Sequence, residues 1–381
     1  MDRVHSTCVH PKRNGILEGV HLGEGGRLGI AVFLLIANYK IFSMQVCRNM
    51  LRGMYAMVAK DLSPVPLCIA AFGNGVRWIC AYYYVGYISR RMLGVVLSIG
   101  VAVEAVIYGY SVEGFAGIVL RYLSMLQLMK MVSYVVVNRE YAILGKDDLK
   151  FAEPVLSPTI PGFIIYPTLC YQMHYPASPE RSYFNMFVYL LLAMPSSIAF
   201  YWTLTELCYN ACLKVLHDGD FDAYLDVIIW VNAGWVSGFV VVFISFFGIQ
   251  GEISRFGDKK FFGAWWDTTV LGYWRRWNSM IHMWIKRHVY KALLKKNITQ
   301  RTSKLAIFLF SGVVHEYIIG NCVKRRGIGF LVMFLQMPLD YSVHHICVKL
   351  RLSPNLASFV VFNLLGAPAV ALIATFAVNR K

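Results

Sequence analysis

The chain has 381 residues, of which 57% are hydrophobic and only 15% are charged. Soluble domains carry about 25% charged residues, so the composition excludes an ordinary soluble protein and indicates one polytopic membrane domain. The formal net charge of +16 leaves nucleic acid, anionic lipid and an anionic ligand as candidate partners until the basic residues are located. The nine cysteines are scattered without a CxxC pair, which indicates neither a disulfide framework nor a metal site.

The N-terminal residues 1–27 are polar and rich in glycine, and they lack the apolar core of a secretory signal peptide. We interpret them as a cytosolic N-terminus that precedes a membrane domain over residues 28–381. A helix needs about 20 apolar residues to cross a bilayer, and this criterion predicts an all-α fold with about nine transmembrane helices. The predicted spans are 28–46, 65–87, 93–111, 115–137, 184–208, 225–248, 305–321, 328–347 and 356–377.

Two long polar stretches, 138–181 and 251–304, fall on the same side of this predicted topology. The excess of Lys and Arg in cytosolic loops places both in the cytosol, although basic residues after the first and the seventh spans oppose this orientation. Loops of such length are usually functional. Residues 251–304 are therefore predicted to form a cytosolic reaction loop.

Basic residues are concentrated in the second stretch. Between Arg275 and Lys304 there are nine of them and no Asp or Glu. This run, which includes Lys295 and Lys296, suits contact with anionic lipid or a clamp for the phosphates of a nucleotide-like donor such as coenzyme A. Nothing resembling a nucleic-acid-binding module accompanies the run, which argues against nucleic acid.

The same stretch is rich in tryptophan, which favours an amphipathic segment in the headgroup zone. Its tryptophans are Trp265, Trp266, Trp274, Trp277 and Trp284.

The predicted span 305–321 contains His315 and Glu316. Ionisable side chains within a bilayer are costly, so this pair is a candidate site, with a packing histidine as the alternative. A zinc-protease motif HExxH would need a second histidine where Ile319 stands, so no metal site is predicted. Other polar residues in predicted spans, among them Lys130 and Asn232, are expected to pair between helices.

Several segments of the chain, which come in the same order as in that family, resemble the membrane-bound O-acyltransferase family, in the branch of diacylglycerol and sterol O-acyltransferases. The resemblance begins near Met129 and runs to the C-terminus. It rests on Lys130 to Tyr134, Pro167 to Tyr171, Tyr175-Pro176, Ser178-Pro179, Phe256-Gly257-Asp258, Phe261 to Asp267, Trp274 to Trp284 and Ser311 to Tyr317. The branch signature F-Y-x-D-W-W-N departs here at Phe262, Ala264 and Asp267, which puts the affinity for acyl-CoA in doubt.

The resemblance implies an acyl-CoA-dependent enzyme of the endoplasmic reticulum membrane with His315 and Asn278 as its catalytic pair. His315 would be a neutral base among apolar neighbours, taking the proton of a lipid hydroxyl that attacks the thioester. Asn278, His282 and Gln336 are candidate donors to the developing oxyanion, and Glu316 would orient a substrate or pair with another helix. The expected substrate-binding residues are His282, Gln336, Glu316, Trp274, Trp277, Trp265, Trp266, Lys295 and Lys296. No cofactor is expected, and acyl-CoA is the co-substrate. The resemblance also implies a homodimer or homotetramer, which are the assemblies that the branch forms.

The acceptor lipid is the least defined part of this prediction. Phe256-Gly257-Asp258 and Gln336-Met337-Pro338 resemble the diacylglycerol enzymes, whereas Gly366-Ala367-Pro368 lacks the glutamine of their G-Q-P segment. The sequence favours diacylglycerol over a sterol. The alternatives from other classes are a transporter or channel using His315, Glu316 and Glu104 as a proton or ion path, and an inactive lipid-binding protein.

Overall fold

The computed structural model describes residues 114–144, 155–156, 159–266, 268–320, 326–351 and 354–379. The predicted N-terminus and the spans predicted at 28–46, 65–87 and 93–111 lie outside these residues. Asp267 of the signature segment also lies outside them. The described part of the chain is almost entirely helical.

Eleven helices are numbered here in chain order. They are α1 (Gly114–Leu144), α2 (Ile160–Ile165), α3 (Tyr183–Asp218), α4 (Phe221–Ser254), α5 (Val270–Arg276), α6 (Ser279–Ile285), α7 (Lys291–Lys295), α8 (Gln300–Gly320), α9 (Ile328–Leu350), α10 (Pro354–Phe359) and α11 (Ala367–Asn379).

Five π-helical stretches interrupt these helices or join them. They are Thr203–Cys208 within α3, Val240–Phe246 within α4, Lys286–Tyr290 between α6 and α7, Glu316–Gly320 at the end of α8, and Val360–Gly366 between α10 and α11. The described residues also include one short strand pair, with β1 (Val155–Leu156) antiparallel to β2 (Tyr175–Pro176).

Each of the six predicted spans that can be compared coincides with a helix. Five described helical segments are long and apolar enough to cross a membrane: Gly117–Asn138, Tyr183–Asp218, Phe221–Ser254, Gln300–Gly320 and Ala357–Asn379, the last of which runs from α10 through the π-helical stretch into α11. The sixth predicted span, 328–347, is helix α9 and is not among the five. It contains a buried carboxyl group, Asp340.

The main core joins the stretch 251–304 to the predicted membrane helices. Its buried side chains are Met125, Leu126, Met129, Leu169, Cys170, Phe239, Phe243, Phe247, Phe261, Met280 and Trp284. They come from α1, α4 and both polar stretches, and the Trp284 indole donates to the Met129 carbonyl at 2.8 Å. The tryptophan-rich stretch is therefore not one amphipathic helix. Trp265 and Trp266 precede α5, Trp274 lies in α5, Trp277 lies between α5 and α6, and Trp284 in α6 packs against the predicted spans.

Lys130 pairs within the structure, as its sequence context predicts. Its side chain is buried, and Nζ donates to the carbonyls of Phe163, Ile164 and Tyr166 at 3.0, 2.7 and 2.6 Å. These carbonyls lie at the C-terminus of α2, where a cation is favourable. Asn232 likewise joins α4 to the Val360–Gly366 stretch by donating to the Asn363 carbonyl at 2.9 Å.

Candidate active site

His315 lies at the point where α8 changes from α-helical to π-helical geometry. Its Nδ1 atom is 2.8 Å from the carbonyl oxygen of Ser311, one turn earlier in the helix. A carbonyl oxygen can only accept, so the hydrogen of the neutral ring is assigned to Nδ1. The lone pair of Nε2 is thereby left available to accept a proton.

Of the described residues, neither Ser311 nor Cys170 is prepared as a nucleophile. Ser311 Oγ is 3.4 Å from His315 Nδ1, but that nitrogen already carries the hydrogen and cannot act as its base. Cys170 is buried, and desolvation raises the pKa of its thiol to about 12. The described geometry therefore favours direct attack by a bound hydroxyl over an acyl-enzyme intermediate.

The carboxylate of Glu316 binds the first turn of α9. It accepts hydrogen bonds from the backbone N–H groups of Gly327 and Phe330, at 2.6 and 3.2 Å. These N–H groups have no partner within their own helix, and a negative charge at a helix N-terminus is favourable. Of the two roles expected for Glu316, pairing with another helix is the one that these contacts support.

Helices α8 and α9 approach one another closely beside His315. A Cβ atom on Gly329 would lie 2.9 Å from the His315 carbonyl oxygen and 3.0 Å from the Glu316 nitrogen. Both neighbours are backbone atoms and cannot move independently of the helix. Glycine at position 329 therefore permits direct contact between the two backbones at the candidate base.

Gln336 lies on the inward face of α9. Gly329, Met333, Gln336 and Asp340 recur at helical spacing, so they share one face. Gly329, Met333 and Asp340 are buried and Gln336 is half-buried. Gln336 therefore lies on the face that contacts α8, two turns beyond Gly329.

Asn278 is the N-cap of α6. Its Oδ1 accepts from the Ile281 backbone N–H at 3.0 Å, which leaves its NH2 group as the donor for another ligand. Trp277 and Ile281, which flank it, pack on the main core, as do Val314 and Tyr317, which flank His315. The structure thus brings the elements of the predicted catalytic pair to one core, although the two side chains do not hydrogen-bond to each other.

The tryptophans of the signature segment offer unused donors. The indole Nε1 atoms of Trp265 and Trp266 are buried and have no partner in the described part of the chain. Trp265 packs edge-to-face on Trp277, with ring centroids 4.8 Å apart. Trp277 in turn stacks on Trp235 of α4, also at 4.8 Å. A buried N–H without a partner is costly, so a ligand that accepts from these indoles would relieve that cost.

Trp274 and His282 differ in what they offer a ligand. The indole of Trp274 already donates to Asp340 Oδ2 at 2.6 Å. His282 is half-buried, and burial lowers the pKa of its ring below the usual range, with the positive charges of Arg275 and Lys286 adding to the effect. His282 is therefore neutral at neutral pH and able to donate from one ring nitrogen.

Lys295 and Lys296 lie at a distance from His315. Both are exposed, and Lys295 Nζ is 3.7 Å from Glu140 Oε1 of α1. They precede α8, whereas His315 lies 15 residues after Gln300, which is about 22 Å along the helix axis. A single ligand could contact both ends only if it were extended.

Sequence reasoning overlooked Asp340. It is the one Asp or Glu within the predicted span 328–347, and an acidic residue inside a span is a signal in its own right. Its side chain is buried, and it contacts Trp274, a residue of the candidate site. Within the described residues, no group of three His, Cys, Asp or Glu side chains could hold a metal ion.

Comparison with known proteins gives a consistent family assignment. The profile of the membrane-bound O-acyltransferase family matches residues 120–367. Diacylglycerol O-acyltransferase 1C of Glycine max is 27% identical over 288 residues, which are 70% of this chain and 56% of that protein. Diacylglycerol O-acyltransferase 1 of Dictyostelium discoideum is 28% identical over 287 residues, covering 70% and 46%. The chain thus matches about half the length of these relatives.

Proposed function

Because this chain belongs to the membrane-bound O-acyltransferase family, we propose that it transfers an acyl group from acyl-CoA to a lipid hydroxyl. The observation that carries the proposal is the orientation of His315. Its Nδ1–H is bound to the Ser311 carbonyl, and Nε2 is therefore an acceptor. A base of this kind is what a hydroxyl nucleophile requires at neutral pH.

The reaction needs one proton acceptor and several hydrogen-bond donors. The hydroxyl oxygen attacks the thioester carbonyl carbon while its proton passes to His315 Nε2. The C–O bond forms, the C–S bond breaks, and the proton on the imidazolium then passes to the departing CoA thiolate. The Asn278 NH2 group is the candidate donor to the oxyanion, supported by His282 and Gln336.

Acyl-CoA is the proposed donor, and two parts of the stretch 251–304 suit its two ends. The indole N–H groups of Trp265 and Trp266 are buried and unpaired within the described residues, so they suit polar atoms near the thioester. The exposed cations Lys295 and Lys296 suit its phosphates. The separation of about 22 Å between the start of α8, which follows these lysines, and His315 matches a ligand whose charged and reactive ends are far apart.

We propose diacylglycerol as the acceptor, giving triacylglycerol. The relatives from Glycine max and Dictyostelium discoideum carry diacylglycerol acyltransferase names. Phe256-Gly257-Asp258 and Gln336-Met337-Pro338 also resemble those enzymes. The alternative is a sterol acceptor, and it stays open because Ala367 replaces the glutamine of G-Q-P in the diacylglycerol enzymes. The proposed location is the endoplasmic reticulum membrane, with a homodimer or homotetramer as the proposed assembly.

The test is ester synthesis by the purified protein in vesicles. Wild type is given radiolabelled oleoyl-CoA with diacylglycerol, cholesterol or a long-chain alcohol, and the products are separated. We expect triacylglycerol from wild type and a fall in kcat of about 100- to 10,000-fold for His315→Ala. The exposed His217→Ala is the matched control and should match wild type. No ester from any acceptor would refute the acyltransferase, and cholesteryl ester alone would replace the acceptor.

A further inference from the structure

The inward face of α9 contacts α8, which carries His315, and α5, the helix that precedes Asn278. At one end, Gly329 lies against the backbone of His315. Eleven residues later, about 16 Å along the axis, Asp340 accepts a hydrogen bond from Trp274 of α5. Gln336 lies between these two contacts. Helix α9 therefore spans the distance between the His315 region and the segment that leads to Asn278.

The Asp340 contact is buried and specific. The side chain is 1% exposed, and Oδ2 lies 2.6 Å from the Trp274 Nε1 atom. A carboxylate oxygen bound to an indole N–H fixes both the direction and the depth of the indole ring. Because this N–H is occupied, Trp274 does not offer it to a substrate, although the sequence suggests such a role.

Trp274 transmits this constraint to Asn278. Its ring packs edge-to-face on Phe362, at 5.6 Å, and on Tyr273, at 5.2 Å, so it is held on several sides. Helix α5 ends at Arg276, and Asn278 then caps α6. With only Trp277 between the end of one helix and the cap of the next, a displacement of α5 also displaces Asn278.

We propose that Asp340 is a positioning residue for the acyl transfer. Through its hydrogen bond to Trp274 it fixes the position of Asn278 relative to Gln336 and His315. This inference rests on the proposed function, because it assigns Asn278 to the reaction. Asp340 itself touches no reacting atom. Its loss is expected to misplace the oxyanion donor while leaving the binding of acyl-CoA intact.

The first experiment compares Trp274→Phe, Asp340→Leu and Asp340→Asn in the ester-synthesis assay. Phenylalanine keeps an aromatic ring for Phe362 and Tyr273 but removes the N–H. We expect kcat to fall roughly 10- to 100-fold in Trp274→Phe and Asp340→Leu, with the KM for acyl-CoA unchanged. Asparagine retains an oxygen that can accept from the indole, so Asp340→Asn should remain close to wild type. Leu339→Ala, at an exposed position on the same helix, is the control.

A double variant separates positioning from stability alone. Each single change leaves one buried polar group without its partner, whereas Trp274→Phe with Asp340→Leu removes both, which can be nearly neutral for stability. We expect the thermal midpoint to recover in the double variant while kcat stays low. Recovery of kcat together with the midpoint would show a purely structural contact and overturn the inference.

Two further results would count against the inference. Wild-type kcat in Trp274→Phe would show that the hydrogen bond does not affect the reaction, and a loss in Asp340→Asn as large as in Asp340→Leu would show that its oxygen is not the essential feature. Both readings require an active wild type. Absence of ester from wild type would instead refute the proposed function.

Discussion

At the scale of single residues, His315 and Glu316 are adjacent in sequence but have different partners. Neighbours on a helix point about 100° apart. His315 donates to its own helix through Nδ1, whereas the carboxylate of Glu316 accepts from Gly327 and Phe330. The sequence predicts that such a pair is functional. It could not assign a separate role to each residue, because Glu316 binds residues 11 and 14 positions away.

Substitution of Glu316 tests this division. Glu316→Ala leaves the first turn of α9 without its acceptor and should cost about 1 kcal/mol of stability. Glu316→Gln keeps one accepting oxygen and should retain most of both stability and activity. The measurements are the thermal midpoint and the rate as a function of pH. If Glu316 exchanged protons in the reaction, Glu316→Gln would lose activity at every pH or lose one limb of the profile.

At the scale of helices, the stretch after α6 is joined to α1 by a buried hydrogen bond. Ser133 Oγ accepts from the Tyr171 N–H at 2.8 Å and lies 2.8 Å from His288 Nε2. Since a hydroxyl has one hydrogen, Ser133 can donate it to His288, and the ring nitrogen then accepts. Burial, with a smaller contribution from the charge of Arg287, lowers the pKa of His288 to about 4.

This contact predicts a loss of stability on acidification. The unfolded chain has a histidine pKa near 6.5, so between about pH 6.5 and pH 4 the unfolded state binds more protons than the folded state. The contribution of His288 is therefore complete above pH 6.5 and declines as the pH falls, by about 2 kcal/mol at pH 5. The measurement is the thermal midpoint at pH 7 and pH 5 for wild type and His288→Gln. Equal shifts in the two proteins would show that His288 is not responsible.

The helices could be predicted from the sequence, but their contacts could not. A span is a local property, and hydropathy located each one that the structure describes. The contact between Trp284 and Met129 joins residues 155 positions apart, and that between Trp274 and Asp340 joins residues 66 apart. The density of tryptophans led to the prediction of an interfacial segment, but tryptophan is equally suited to the headgroup zone and to a protein interior. Only the fold decides between them.

At the scale of the whole molecule, the basic run and the candidate base His315 lie far apart along α8. The basic run is largely exposed around α7 and the start of α8, whereas His315 is about 22 Å further along α8. A membrane lipid would contact only the basic run. Acyl-CoA would use the charges for its phosphates and the region of His315 for its thioester, so kinetics can distinguish the two uses.

Neutralising Lys295 and Lys296 to glutamine makes that distinction. If these cations hold the phosphates of the donor, the KM for oleoyl-CoA should rise about 30-fold, since each of the two lost charge contacts is worth about 1 kcal/mol and about 1.4 kcal/mol corresponds to tenfold. The KM for diacylglycerol and kcat should change little, because the lysines are far from His315. Lys214→Gln with Lys349→Gln removes two exposed charges outside the run and is the matched control. Vesicles of neutral lipid should preserve the effect. An unchanged KM for oleoyl-CoA would instead assign the run to lipid contact.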